Sequence, residues 1–137
     1  MMRSLYLEVV TPEKVIVSKE VDSVVAPGSL GEFGILDGHM PFLSGIEPGE
    51  LRYTSYDEAE HIFVSTGFAE VAENKVSILV DAAEELQDID VKRAQQALER
   101  ASKRIEENRG TEAFDLSRAE AALKRANARI AAAGKAK

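Results

Sequence analysis

Arginines near the C-terminal end carry the plainest binding chemistry in this sequence. Arg93 and Arg100 stand seven apart, and Arg125 and Arg129 four apart, so on a helix each pair shares a face. Clustered guanidinium groups suit phosphate, because their planar fork matches its oxygens, and they suit a carboxylate-rich partner as well. A solvated basic face would give the same pattern. Just upstream, residues 87–94 read Q-D-I-D-V-K-R-A, with Asp90 and Arg93 three apart. That spacing places a capping acid and a first-turn base at one helix end. A second informative stretch is residues 28–41, where Gly28, Gly31, Gly34 and Gly38 imply a tightly turned loop. It holds one acid, Glu32, and one histidine, His39, among apolar side chains that include Phe33. By its residues alone it reads as a turn between strands.

Other chemistry is missing. There is no G-x-x-x-x-G-K-[ST] phosphate loop, no G-x-S-x-G and no H-E-x-x-H, and Gly28, Gly31 and Gly34 do not have the dinucleotide spacing. The sequence has no cysteine, which removes disulfides, a zinc cluster and a thiol nucleophile, and fits a reducing compartment. His39 and His61 are far apart, so no metal site is expected. The chain is expected to be non-catalytic. No run approaches the ~20 apolar residues of a membrane helix, and the opening residues lack the apolar stretch of a signal peptide. Direct membrane insertion is not expected, and any membrane association would come through a partner.

The elements that must position these side chains divide at about residue 87. Up to Val80 the apolar residues recur with period two, as in Leu5, Leu7 and Val9, in Val15 and Val17, in Ile62 and Val64, and in Val76, Ile78 and Val80. Turn signals separate the runs, among them Asp37-Gly38, Pro48-Gly49 and Glu73-Asn74. This pattern predicts an antiparallel β-sandwich of about nine or ten short strands over residues 1–87. From residue 88 good helix formers dominate. The seams Val91, Ala94, Leu98, Ala101, Ile105 and Leu116, Ala119, Leu123, Ala126, Ile130 both step 3-4-3-4, and Asn108-Arg109-Gly110-Thr111 divides them. Residues 88–137 are therefore read as an antiparallel helical hairpin, capped at Asp88 or Asp90 and again at Asp115, so the fold is α+β. With the turn near residue 111, Arg93 falls opposite residue 129 and Arg100 opposite residue 122, which gathers the arginines on one half of the hairpin. The alanine-rich seams bury little area, and isolated helices of about 17 residues are marginal, so a ligand or partner could decide whether the hairpin is closed or open.

Charge divides at the same place. Residues 1–87 carry five basic and 16 acidic side chains, a net of −11, whereas residues 88–137 carry 12 basic and 8 acidic, a net of +4, together the −7 of the whole chain. Opposite signs suggest two surfaces with different partners.

Several segments, in this order, resemble the epsilon subunit of the bacterial F-type ATP synthase. Residues 31–41 (G-E-F-G-I-L-D-G-H-M-P) resemble its G-E-L-G-I-x-x-G-H-x-P signature, with Phe33 in place of Leu. The opening L-Y-L-E-V-V-T-P and the segment Gly67-Phe68-Ala69-Glu70-Val71 resemble its first strand and a later strand pair, and residues 89–94 match an [I/L]-D-x-x-R-A motif. The resemblance implies a sandwich that binds the rotating gamma subunit and sits on the ring of c subunits, with Glu32, Phe33, Gly34 and His39 in the rotor-contact loop. It implies a hairpin that lies folded or extends toward the catalytic head, hindering hydrolysis as its basic face meets an acidic segment of the beta subunit. In some members the folded hairpin binds ATP. The matching positions here are Glu84, Ile89, Asp90, Arg93, Ala94, Arg100, Arg125 and Arg129. No cofactor is required on this reading, and ATP enters as a regulatory ligand. The expected place is the cytoplasmic face of the bacterial plasma membrane, held peripherally, with no nucleic acid partner. The competing reading is a free-standing nucleotide-sensing or peptide-binding module.

Overall fold

The computed structural model describes residues 5–108 and 115–134. Strands β1 (Leu5–Val10), β2 (Val15–Val21), β3 (Ser23–Gly28), β4 (Gly31–Leu36) and β5 (Phe42–Ile46) are followed by β6 (Gly49–Ser55), β7 (Glu58–Val64), β8 (Gly67–Ala72), β9 (Lys75–Val80) and the short β10 (Ala83–Glu85). A 3-10 turn, Leu86–Asp88, leads to helices α1 (Val91–Glu107) and α2 (Leu116–Gly134). The order β10-β7-β6-β3-β5-β8-β9-β1-β2, with β4 beside β3, makes two layers. Strand β3 passes between them: Val24 and Val25 pair with Tyr53 and Arg52 of β6, while Gly28 pairs with Ile46 of β5.

Alternation fills the space between the layers. Leu5, Leu7, Val9, Val24, Ile35, Ile46, Leu51, Ile62, Val64, Val71, Val76, Ile78 and Val80 are buried in one cluster. Burying each such side chain is worth roughly 1.5–3 kcal/mol, which is why this half of the chain holds the large apolar residues. Most pairings are antiparallel, as expected, but β1 lies parallel to β9, with Leu7 opposite Val76. Sequence periodicity says nothing about direction, and the long path between these strands makes a parallel pair possible. Val15, expected on the core face with Val17, is exposed instead. The register between β1 and β2 shifts so that Val9 pairs with Val17 but Val10 with Val15, and the extra residue turns Val15 outward.

Residues 28–41 are not loop throughout. Residues 31–36 pair along β3 as strand β4, so the turned parts are the hairpin tip before Gly31 and the connection to β5. Gly31 has φ +122° and Gly38 φ +82°, values that L side chains rarely adopt. Two further hairpins turn on Tyr56-Asp57 and Glu73-Asn74, all four residues at positive φ. Asn74 Oδ1 accepts a 2.8 Å hydrogen bond from the Gly38 N–H, tying the β4–β5 connection to the β8–β9 turn.

The helices run antiparallel and pack on one another, and α2 also lies across β6 and β7. Asp90, not Asp88, caps α1, its Oδ1 accepting from the Arg93 N–H at 3.0 Å, and Asp115 caps α2 in the same way through Arg118. Ala94, Ala101, Ala119 and Ala126 are the buried residues of the seam, whereas Val91 and Leu116 at its ends are exposed. The expected dividing turn at residues 109–111 lies outside the described residues.

Candidate functional site

The hairpin and one outer face of the sandwich meet at Phe63. Its neighbours Ile62 and Val64 point into the core, so Phe63 points away from it, yet it is fully buried. It belongs to a second apolar cluster with Leu86, Ile89, Ala132 and Ala133. Strand β7 is therefore covered on both sides near its end, which periodicity alone does not reveal. Two ion pairs frame the contact. Arg129 Nε donates to Glu84 Oε1 at 2.6 Å, and Lys124 Nζ donates to Glu47 Oε2 at 2.6 Å. The Arg129 guanidinium also lies over the Phe63 ring, 4.7 Å from its centroid.

Between the helices runs a groove of about 750 Å³. Seven of the eight residues expected at a nucleotide site line it: Glu84, Asp90, Arg93, Ala94, Arg100, Arg125 and Arg129. The eighth, Ile89, is buried under the hairpin with Phe63. Asp90 is engaged as the helix cap and Glu84 by Arg129, so the acids of the site already have roles. The groove continues past the expected site to Arg104 in the last turn of α1 and to Asp115 and Arg118 at the start of α2. Six guanidinium groups over an alanine floor make a place for a polyanion.

Arg104 and Arg118 were legible in the sequence through a signal that hydrophobic periodicity passes over. Residues 90–105 read D-V-K-R-A-Q-Q-A-L-E-R-A-S-K-R-I and residues 115–130 read D-L-S-R-A-E-A-A-L-K-R-A-N-A-R-I. Offset by 25 residues, Asp, Arg, Ala, Ala, Leu, Arg, Ala, Arg and Ile recur at equal spacing. The matches include the groove-facing acids and arginines as well as the seam.

The residues expected in the rotor-contact loop are not brought into one cluster. Glu32 is exposed on β4 and held by Arg52 of β6 through two 3.2 Å bonds, Nη1 to Oε2 and Nη2 to Oε1. Arg52 also approaches Glu50 Oε1 at 4.0 Å, and His61 Nδ1 lies 2.7 Å from the same oxygen. Phe33 is half-buried against the core. Its ring meets Phe42 edge-on at 5.1 Å, and Phe42 meets His39 at 5.9 Å. His39 Nδ1 donates to the Met40 carbonyl at 2.7 Å. Gly34 is exposed opposite Val25. Gly28 has to be a glycine, because a Cβ there would stand 2.7 Å from the Phe33 ring.

The other layer presents an apolar row to solvent. Val15 pairs with Val10, Val10 with Leu79, and Leu79 with Phe68, and Val15, Leu79 and Phe68 are 57%, 54% and 64% exposed. Among the described residues no group of three or more His, Cys, Asp or Glu could hold a metal ion, and no helix is long and apolar enough to cross a membrane.

Comparison with known proteins agrees with this two-part architecture. The family model of the ATP synthase delta/epsilon chain β-sandwich domain matches residues 4–86, and that of the delta/epsilon chain long α-helix domain matches residues 87–134. The chain belongs to the ATP synthase epsilon chain family. The ATP synthase epsilon chain of Nitratidesulfovibrio vulgaris strain DP4 is 50% identical over 105 residues, 77% of this chain and 78% of that one. That of Desulfosudis oleivorans is 53% identical over 107 residues, 77% of this chain and 80% of the relative. Among solved structures, a chain of the Euglena gracilis mitochondrial ATP synthase, OSCP/F1/c-ring, superposes with a TM-score of 0.80 at 26% identity, covering 96% of this chain and 82% of that one. A chain of the Tetrahymena thermophila mitochondrial ATP synthase central stalk/c-ring shares the fold, with a TM-score of 0.63 at 15% identity. The epsilon chain is thus a subunit of a rotary ATP synthase, and the groove and the apolar row are surfaces of that subunit.

Proposed function

We propose that this chain is a non-catalytic central-stalk subunit of a proton-translocating F-type ATP synthase, which couples rotor to catalytic head and restrains ATP hydrolysis through a hairpin that senses ATP. The observation that carries the sensing role is the groove, whose arginines come from both helices. Phosphates held by Arg93 and Arg100 of α1 and by Arg125 and Arg129 of α2 bind only the closed hairpin, so mass action favours closure as ATP rises. Asp90, at the opening of α1, lies beside the base, with Glu84 nearby. With ATP scarce the hairpin opens, and the basic face it frees meets an acidic segment of the beta subunit and hinders rotation.

Two faces of the sandwich support the remaining assignments of this proposal. The Val15, Leu79 and Phe68 side chains, joined through the half-buried Val10, form an apolar stripe on the layer away from the hairpin, suited to covering by a large partner such as the gamma subunit. The edge made by Glu32, Phe33 and Gly34 of β4 and by His39 in the β4–β5 connection meets the c ring. The subunit then works at the cytoplasmic face of the bacterial plasma membrane, peripherally, through these partners.

Calorimetry on the full chain tests the sensing role. ATP should give a saturable signal that is lost in Arg93→Ala and retained in Lys14→Ala, and no saturable heat at millimolar ATP would remove that role. The free-standing-module alternative is tested by mixing the chain with its gamma subunit: the proposal requires a stable complex.

A further inference from the structure

The 25-residue repeat gives the hairpin a local two-fold relation, because two antiparallel helices with one sequence pattern exchange when rotated about an axis between them. Every helical residue lining the groove has its equivalent on the other helix: Asp90 and Asp115, Arg93 and Arg118, Ala94 and Ala119, Ala97 and Ala122, Arg100 and Arg125, Ala101 and Ala126, Arg104 and Arg129. The two capping hydrogen bonds are equivalent as well, each 3.0 Å from the backbone N–H three residues on to the Asp Oδ1. The rotation takes the sandwich end of the groove, Arg93 with Arg129, onto the turn end, Arg118 with Arg104. Arg100 and Arg125 lie between.

From this symmetry we infer that the groove contains a second phosphate-binding half-site, formed by Arg104 and Arg118 beside Asp115, and that the whole groove takes a phosphate chain engaged at both ends. At a rise of 1.5 Å per residue, Arg93 and Arg104 are about 16 Å apart along α1. A triphosphate, three phosphorus atoms joined by two bridging oxygens, therefore neutralises one half of the ladder and leaves the other. The halves also differ in charge. Glu84 reaches from the sandwich to Arg129, whereas among the described residues no carboxylate pairs with Arg104 or Arg118. On one helix Arg100 and Arg104 are four apart, and like charges at that spacing cost helix stability unless an anion lies between them. An acidic peptide offers carboxylates at residue spacing, whereas a phosphate chain presents oxygens along its whole length to the planar forks. The phosphate can come from the far end of one long linear polyphosphate or from a second nucleotide. The inference uses the same groove as the ATP proposal but depends on different side chains.

The test is calorimetry of the full chain with sodium tripolyphosphate, long-chain inorganic polyphosphate, ATP and poly-glutamate, comparing wild type with Arg104→Gln/Arg118→Gln. A control, Lys92→Gln/Lys103→Gln, removes equal charge outside the groove, and thermal unfolding checks that each variant stays folded. Long-chain polyphosphate should bind about tenfold tighter than tripolyphosphate, an advantage of about 1.4 kcal/mol that the arginine variant loses and the lysine control keeps. A second nucleotide as the source would appear as two ATP per chain falling to one in the arginine variant. Equal losses in both variants, no change in either, or poly-glutamate binding as tightly as polyphosphate would each overturn the inference. If wild type ignores ATP but polyphosphate shows the expected pattern, the half-site stands and the nucleotide reading falls.

Discussion

Arg129 donates from Nε to Glu84 at 2.6 Å while its guanidinium face covers Phe63 at 4.7 Å. One side chain therefore both lines the groove between the helices and seats the hairpin on the sandwich. The Glu84 pair uses only Nε, so in the proposed ATP complex a phosphate could bind the terminal nitrogens without breaking that pair. Ligand binding and docking can then act in the same direction, each ordering the guanidinium for the other.

Removing the acceptor charge should loosen this seat. Glu84→Gln is expected to weaken docking of α2 by about 1–2 kcal/mol, the scale of a partly buried charge-assisted hydrogen bond. Hydrogen exchange should quicken in α2 and stay unchanged in β1 and β9, which lie in the other layer. Equal protection of α2 in variant and wild type would show that the apolar cluster alone holds the hairpin.

The sandwich should fold without the hairpin. Its core cluster draws every member from residues 5–83, and the hairpin covers only the outer surface at Phe63. A chain of residues 1–87 should melt in one cooperative transition. Loss of the cover on Phe63 and Leu86 should lower its midpoint and increase binding of an apolar dye. An unfolded fragment at 25 °C would show that the hairpin is part of the core.

Glu32→Gln should alter proton-driven ATP synthesis in assembled complexes and change stability little. Glu32 is exposed and Arg52 partly so, and solvent-exposed ion pairs contribute about 0–1 kcal/mol. A large fall in melting temperature with unchanged synthesis would assign this pair to structure.

Much of this architecture was readable from pattern. Leu5, Leu7 and Val9 alternate, and the helix seams step 3-4-3-4, because burial repeats with the period of the backbone. Direction and register do not enter such a pattern, so the parallel β1–β9 pair and the shift that turns Val15 outward were not visible. Phe63 was hidden because an outer-face residue is buried only by an element distant in sequence. At the candidate site, charge and spacing marked Arg93, Arg100, Arg125 and Arg129, while Arg104 and Arg118 needed the 25-residue offset. The pairing of Glu32 with Arg52 joins β4 to β6 and has no local signature.

The alanine seam should control the groove independently of its charges. Ala94, Ala101, Ala119 and Ala126 are small and buried, and their size sets how closely the helices approach. A leucine at Ala126 has no space to enter, and overpacking of this kind costs about 1–3 kcal/mol. The hairpin has little stability in reserve, because its seam buries few large side chains, so Ala126→Leu should separate the helices. Arg125 and Arg129 would remain on α2, but Arg93 and Arg100 would no longer face them across one groove. ATP binding should then be lost with all six groove arginines present. Ala121→Leu, on an exposed position of the same helix, should leave binding as in wild type and serves as the control. Helicity by circular dichroism should stay near the wild-type value in both variants, which separates opening of the hairpin from unfolding of α2. Retained ATP binding in Ala126→Leu would mean that the arginines of a single helix suffice, and closure of the hairpin would then not be linked to the ligand.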